Sequence, residues 1–135
     1  MSTTARFARR FRYLVLLQAS LAAGAFYDLG FAALMVLAPG WPARVLDLPL
    51  PGPRFYLWIL AVLLAMLAGL YLLAARDPRR YSGVIAVAIA GRTLGALALA
   101  AAALSAPGLD GLYALAAADL ALGLAHALFW FPVRS

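Results

Sequence analysis

Asp28, Arg92 and Asp119 each sit near the middle of a different long apolar stretch of this chain. A charged group at the centre of a bilayer costs ~2.5–3.5 kcal/mol on insertion scales, so such residues turn inward and mark structural or functional sites. At a rise of about 1.5 Å per residue, Asp28 lies ~16 Å, Arg92 ~20 Å and Asp119 ~14 Å from the outer helix ends. An arginine side chain covers that spread, which predicts Arg92 between the two carboxylates as a bidentate donor. One guanidinium neutralises one carboxylate. The second acid then calls for a bound proton, a proton shared by the pair, or a cationic partner. The alternative role is register: polar contacts between membrane helices fix orientation while contributing only ~0.6 kcal/mol each.

The residues around these three are small or polar at helical spacing. Ser20, Gly24 and Asp28 recur every fourth residue, as do Ala88, Arg92 and Ala96 beside Gly91 and Gly95. Asp119, Gly123 and His126 share a face, and Ala61, Ala65, Ala68 and Gly69 allow close approach on the second segment. His126 lies ~10 Å from Asp119 along one helix, too far for a direct dyad. It reads as a neutral ring hydrogen-bonded to a neighbouring helix, with a proton relay or an axial ligand as the alternative. Tyr27 and Tyr71 can each line a site, or serve packing and the membrane interface.

A single histidine with no cysteine and no glutamate argues against a metal centre built from protein ligands. P-loop, dinucleotide, zinc-protease and nucleophile-elbow motifs are absent, so no cofactor or catalytic residue is assigned.

The elements that must carry the cluster follow from hydropathy. Of 135 residues, 67% are hydrophobic and 12% charged, with a mean hydropathy of +0.95. A soluble domain carries about twice that charged fraction. Four apolar segments, roughly 14–38, 55–75, 82–104 and 109–131, each approach the ~20 residues that span a bilayer. Pro39-Gly40, Arg76-Asp77-Pro78, Ala106-Pro107-Gly108 and Pro132 punctuate them. The expected fold is all-α, a single integral-membrane domain of four transmembrane helices. The first segment, preceded by Arg9, Arg10 and Arg12, is too long for a signal peptide and reads as an uncleaved helix.

Eight arginines (6, 9, 10, 12, 76, 79, 80 and 134) fall on one side, against Arg44 and Arg54 on the other. The positive-inside rule then expects both termini in the cytoplasm. Trp41, Tyr56, Trp58 and Tyr113 would mark the outer interface, with Tyr13, Tyr81 and Trp130 at the inner one. The net charge of +6 thus reports topology and anionic headgroups, not nucleic acid. Residues 39–54 form the only long connection and hold five of the eight prolines. Within it, residues 43–48 are expected to form one or two helical turns with Pro42 at their start, as a stiff connector or a lid.

The run Gly24-Ala25-Phe26-Tyr27-Asp28-Leu29-Gly30-Phe31, with Leu48-Pro49-Leu50-Pro51 and Gly69, resembles the small four-helix bacterial membrane proteins grouped as DoxX-like. That resemblance implies a bacterial inner-membrane bundle, in some members a partner of quinol-linked or redox systems. The layout is also similar to EXPERA-type bundles, which bind or isomerise sterol-like ligands. Asp28 would be the comparable position there, although this chain has none of that group's glutamates. Three functions follow as expectations. The first is a non-enzymatic bundle that binds a small hydrophobic ligand (lipid, quinone or sterol-like) or acts as an accessory subunit in a homo-oligomer or larger complex. The second is a membrane isomerase using Asp28 or Asp119, and the third a proton-coupled transporter. The binding cluster would comprise Asp28, Arg92, Asp119, His126, Tyr27 and Ser20.

Overall fold

A computed structural model describes residues 3–50 and 52–134, with side chains from residue 7 onward. Pro51 and the side chain of Arg6 lie outside the described residues. The chain forms α1 (Thr3–Leu37), α2 (Gly40–Val45), α3 (Phe55–Arg76), α4 (Ser82–Ser105) and α5 (Leu112–Arg134). The four long helices are each apolar enough and long enough to cross a membrane. At 22 to 24 residues, α3, α4 and α5 extend about 33–36 Å, matched to a hydrocarbon core of about 30 Å. The fold is a four-transmembrane-helix bundle.

Two helix ends differ from the sequence expectation. α1 starts at Thr3 and not near residue 14. Hydropathy marks where lipid begins, whereas residues 3–13 contain no proline or glycine and are rich in Ala and Arg, which favour helix. α5 runs through Pro132 to Arg134; proline in the last turn removes one backbone bond without ending the helix. α2 fulfils the expected short helix but sits slightly earlier, with Pro42 inside it and Pro39 at its N-cap.

The bundle is two helical hairpins laid side by side. α1 packs along α3, α4 packs along α5, and α1 joins α5; α3 and α4 meet only sparsely. Buried positions recur at three- and four-residue spacing, as in Leu17, Leu21, Ala25, Asp28 and Ala32 of α1 and Leu57, Ala61, Ala68 and Tyr71 of α3. Alanine dominates these faces, which lets backbones approach where lipid provides no hydrophobic drive. Large apolar side chains such as Phe26, Val87, Leu94 and Leu124 point outward to the bilayer. On α3 the helix is rotated from the expected face. Ala61 and Ala68 are buried, but Ala65 and Gly69 face out, because α3 packs chiefly on α1.

Along its axis the bundle has three layers. At the arginine-rich end, Leu17, Leu21, Ala74, Ile85 and Trp130 form an apolar plug fed by all four long helices. The charged cluster lies in the middle. At the α2 end an apolar cavity of 350 Å³ opens among residues such as Phe31, Met35, Leu46, Leu57 and Leu115, with Pro39, Pro42 and Ala43 as its cover.

That cover is anchored at Gly111, which precedes α5. A Cβ built there would run into the Leu46 carbonyl, so only glycine permits the approach. Gly111→Ala should therefore lower stability by about 1–3 kcal/mol through overpacking. Gly69→Ala, whose Cβ meets open space, should have no such effect. Thermal midpoints of both variants in one detergent check this.

Candidate functional site

Each long helix contributes a residue to the mid-bundle cluster, and the chemistry is set by how Arg92 is held. Its Nη2 donates to Asp28 Oδ1 at 2.7 Å and its Nη1 to Asp119 Oδ1 at 2.5 Å. Nη2 also lies 3.4 Å from the Gly24 carbonyl. The guanidinium thus bridges two acids with one nitrogen each, tying α4 to both α1 and α5. Its Cζ sits 5.5 Å from the Tyr27 ring centroid and 5.3 Å from that of Tyr71. Both distances suit cation–π attraction, which strengthens when the cation is desolvated.

Burial is deep but uneven. Asp28 and His126 are 0% exposed and Arg92 6%, whereas the Asp119 side chain is 18% exposed. Two glycines make room for the ion pairs. A Cβ on Gly123 would lie 3.0 Å from Arg92 Cβ, and one on Gly95 3.1 Å from Asp119 Oδ2. Gly91, expected to pack beside Gly95, instead has open space around it.

His126 belongs to the same layer. Its Nδ1 lies 3.2 Å from Ser20 Oγ, and Ser20 donates its hydroxyl hydrogen to the Leu17 carbonyl at 2.9 Å. The hydroxyl has one hydrogen to give, so the imidazole tautomer and the Ser20 rotor are set together. Nε2 faces Gly24, where an added Cβ would stand 3.2 Å away. The ring edge meets Tyr71 at 5.9 Å and 74°. Asp119 and His126 share no hydrogen bond or ion pair; Arg92 and Ser20 are their respective partners.

Tyr27 and Tyr71, which the sequence allows to line a site or to serve packing and the interface, both lie against Arg92, and Tyr71 is the more buried. It is 3% exposed and stands between Arg92 and His126. Counted from the outer helix ends, Tyr71 and Arg92 lie within one helical turn of each other in depth, so their side chains meet. The detectable signal was its three-residue spacing from Ala68 on the buried row.

The polar network is incomplete. Asp28 Oδ2, Arg92 Nε and His126 Nε2 are buried without a hydrogen-bond partner. Beside Asp28 and Arg92, a cavity of 430 Å³ opens between α3 and α4. Leu64, Leu67 and Leu70 form one wall, Gly83, Val87 and Gly91 the other, and Asp28, Arg92 and Asp119 the back. Its size and lining, apolar with a few convergent polar groups, match those of small-molecule sites. Among the described residues no cluster of His, Cys, Asp or Glu is arranged to hold a metal ion.

Arg92→Ala would strand both acids in low dielectric, so it should cost about 3–5 kcal/mol. Asp28→Asn keeps an oxygen for Nη2 and should cost far less. Arg92→Lys should fall between them, because one ammonium cannot reproduce the planar fork that reaches two acids. Thermal unfolding of the three variants in detergent orders them; equal midpoints would contradict the bridging role.

No family model, no curated protein and no solved structure matches the chain.

Proposed function

We propose that the protein is a non-enzymatic membrane bundle that binds a small hydrophobic molecule, reached from the bilayer through the α3–α4 opening. The observation that carries this reading is the continuity between that lateral cavity and the Asp28–Arg92–Asp119 cluster. The apolar walls suit a lipid-soluble body. The back wall sets two carboxylates against one guanidinium, which favours a head that donates hydrogen bonds or carries positive charge over an anionic one. Of the expected lipid, quinone and sterol-like ligands this favours a sterol-like alcohol, and it extends the set to a quinol or a lipophilic amine. The arginine asymmetry supports placement in a bacterial inner membrane with both termini cytoplasmic, and the DoxX-like resemblance belongs with this reading.

The other two functions fit the geometry less well. An isomerase needs an apolar cavity beside a free carboxylate base. The cavity exists, but both acids are engaged by Arg92. A transporter needs a path past the cluster, and the plug of Leu17, Leu21, Ala74, Ile85 and Trp130 closes the axis on one side.

Native mass spectrometry from a mild detergent should find an adduct of lipid-like mass on the wild-type protein. Gly91→Leu places a side chain in open space within the cavity wall. It should remove the adduct, and at least tenfold of the affinity for a fluorescent sterol or long-chain amine, without lowering the thermal midpoint. A matched long-chain carboxylate that binds as tightly as the amine would overturn the head-group assignment. Dimer formation that persists in wild type and is lost in Gly91→Leu would show a second copy's helix in the opening instead of a ligand.

A further inference from the structure

The two acids of the central cluster are not equivalent. Asp28 is 0% exposed, and its Oδ2 is sealed in the bundle. Asp119 gives only Oδ1 to Arg92 Nη1. Its Oδ2 accepts no hydrogen bond among the described residues. The Asp119 side chain is 18% exposed and lines the cavity between α3 and α4. Gly95 keeps the space at that oxygen clear, since a Cβ there would stand 3.1 Å from Oδ2. Asp119 is thus the acid that a molecule in the cavity meets.

The charges do not cancel. Two carboxylates face one guanidinium, which leaves one negative charge within the membrane span. The other ten arginines lie toward the ends of the helices or between them. Among the described residues, Arg92 alone is ion-paired to either acid, and His126 is turned to Ser20. An unmatched charge is expensive at this depth. A bound proton would cancel it and leave the cavity without a role. A hydroxyl could donate to Asp119 Oδ2 but would leave the charge in place. An ammonium group on a hydrocarbon body supplies the hydrogen and the charge together, and its body suits the leucine wall.

We infer that the cavity takes a lipophilic amine in its ammonium form, which donates N–H to Asp119 Oδ2 and lays its hydrocarbon against Leu64, Leu67, Leu70 and Val87. This rests on the binding role proposed above and narrows its head groups to one. Asp28 then acts as a positioning residue: by holding Arg92 Nη2 at 2.7 Å it fixes the guanidinium that orients Asp119.

The test compares hexadecylamine with hexadecanol, which share a chain and differ at the head. Adducts are titrated at neutral pH by native mass spectrometry from a mild detergent. Referring the amine-to-alcohol ratio of the wild type to that of D119N cancels partition into micelles. The wild type should favour the amine on the order of tenfold by that measure, the margin of a charge-assisted over a neutral hydrogen bond. D119N should weaken both ligands, because it removes the charge and the free acceptor. D28N also removes a negative charge, so the amine preference should fall there, while hexadecanol binding persists on Asp119. Circular dichroism confirms that each variant keeps its helices. Equal binding of amine and alcohol by the wild type would mean that a proton already neutralises the cluster; it would overturn the ammonium assignment and leave the binding role standing. An amine preference that persists in D119N, seen against a protein-free detergent blank, would move recognition off Asp119 and also overturn the inference. Binding of neither molecule would overturn the binding role itself.

Discussion

Arg92 reaches across the diagonal of the bundle, and most of the architecture can be read from that reach. α1 and α4 stand opposite each other without backbone contact, as do α3 and α5. The guanidinium spans the first diagonal to Asp28 and also takes Asp119 from the adjacent α5. Tyr71 and His126 meet across the second. Where the two diagonals cross, Tyr71 lies against Arg92. A side chain as long as arginine is needed for this strut; Gly95 and Gly123 give it room, and Gly24 does the same for His126 and Tyr71 on the other diagonal. Three helices are thereby locked together by charge.

α3 is the helix left out of that ionic tie, and the loose seam has its origin there. It carries no charge within its membrane span and is held by alanine-mediated packing on α1 and by Tyr71. Nothing of comparable strength draws it to α4. The gap that results exposes the back of the cluster to the bilayer side. Three buried polar atoms without partners sit in the same layer, and each is costly in a medium that cannot supply water. Loose packing and unmet hydrogen bonding thus coincide at Asp28 and Arg92, which line the gap, while the plug near Trp130 is closely packed.

The sequence made part of this legible because two signals are strong in membranes. Apolar runs located the four spans, and charges inside them located the cluster, since lipid tolerates neither short spans nor stray charge. What it could not convey was which neighbour each small face would meet. Ala61, Ala65, Ala68 and Gly69 look alike in sequence, yet packing against α1 buries the first and third and leaves the others outside. The same ambiguity hid the separation of Gly91 from Gly95, one open and one against Asp119. Tyr71 lies within one helical turn of Arg92 in depth, but whether it lines the site depends on which face of α3 packs inward. The early start of α1 escaped because hydropathy and helix propensity report different boundaries.

The layering bears on what the cluster can do. A carboxylate that is to act as a base, or to carry a proton through the membrane, must be free to change partners. Here the same guanidinium holds both acids, so releasing one leaves the other and the arginine to share the loss. The plug adds a second barrier, since a path toward the arginine-rich end would have to displace Ile85 and Trp130 from a core shared by every long helix. A ligand arriving sideways meets neither obstacle. The opening between α3 and α4 leads to Asp119, the most exposed of the three charged residues, at the back wall. The arrangement is rigid where the charges are and permissive where the bilayer is. That combination suits recognition of a membrane-dissolved molecule better than it suits turnover or transport.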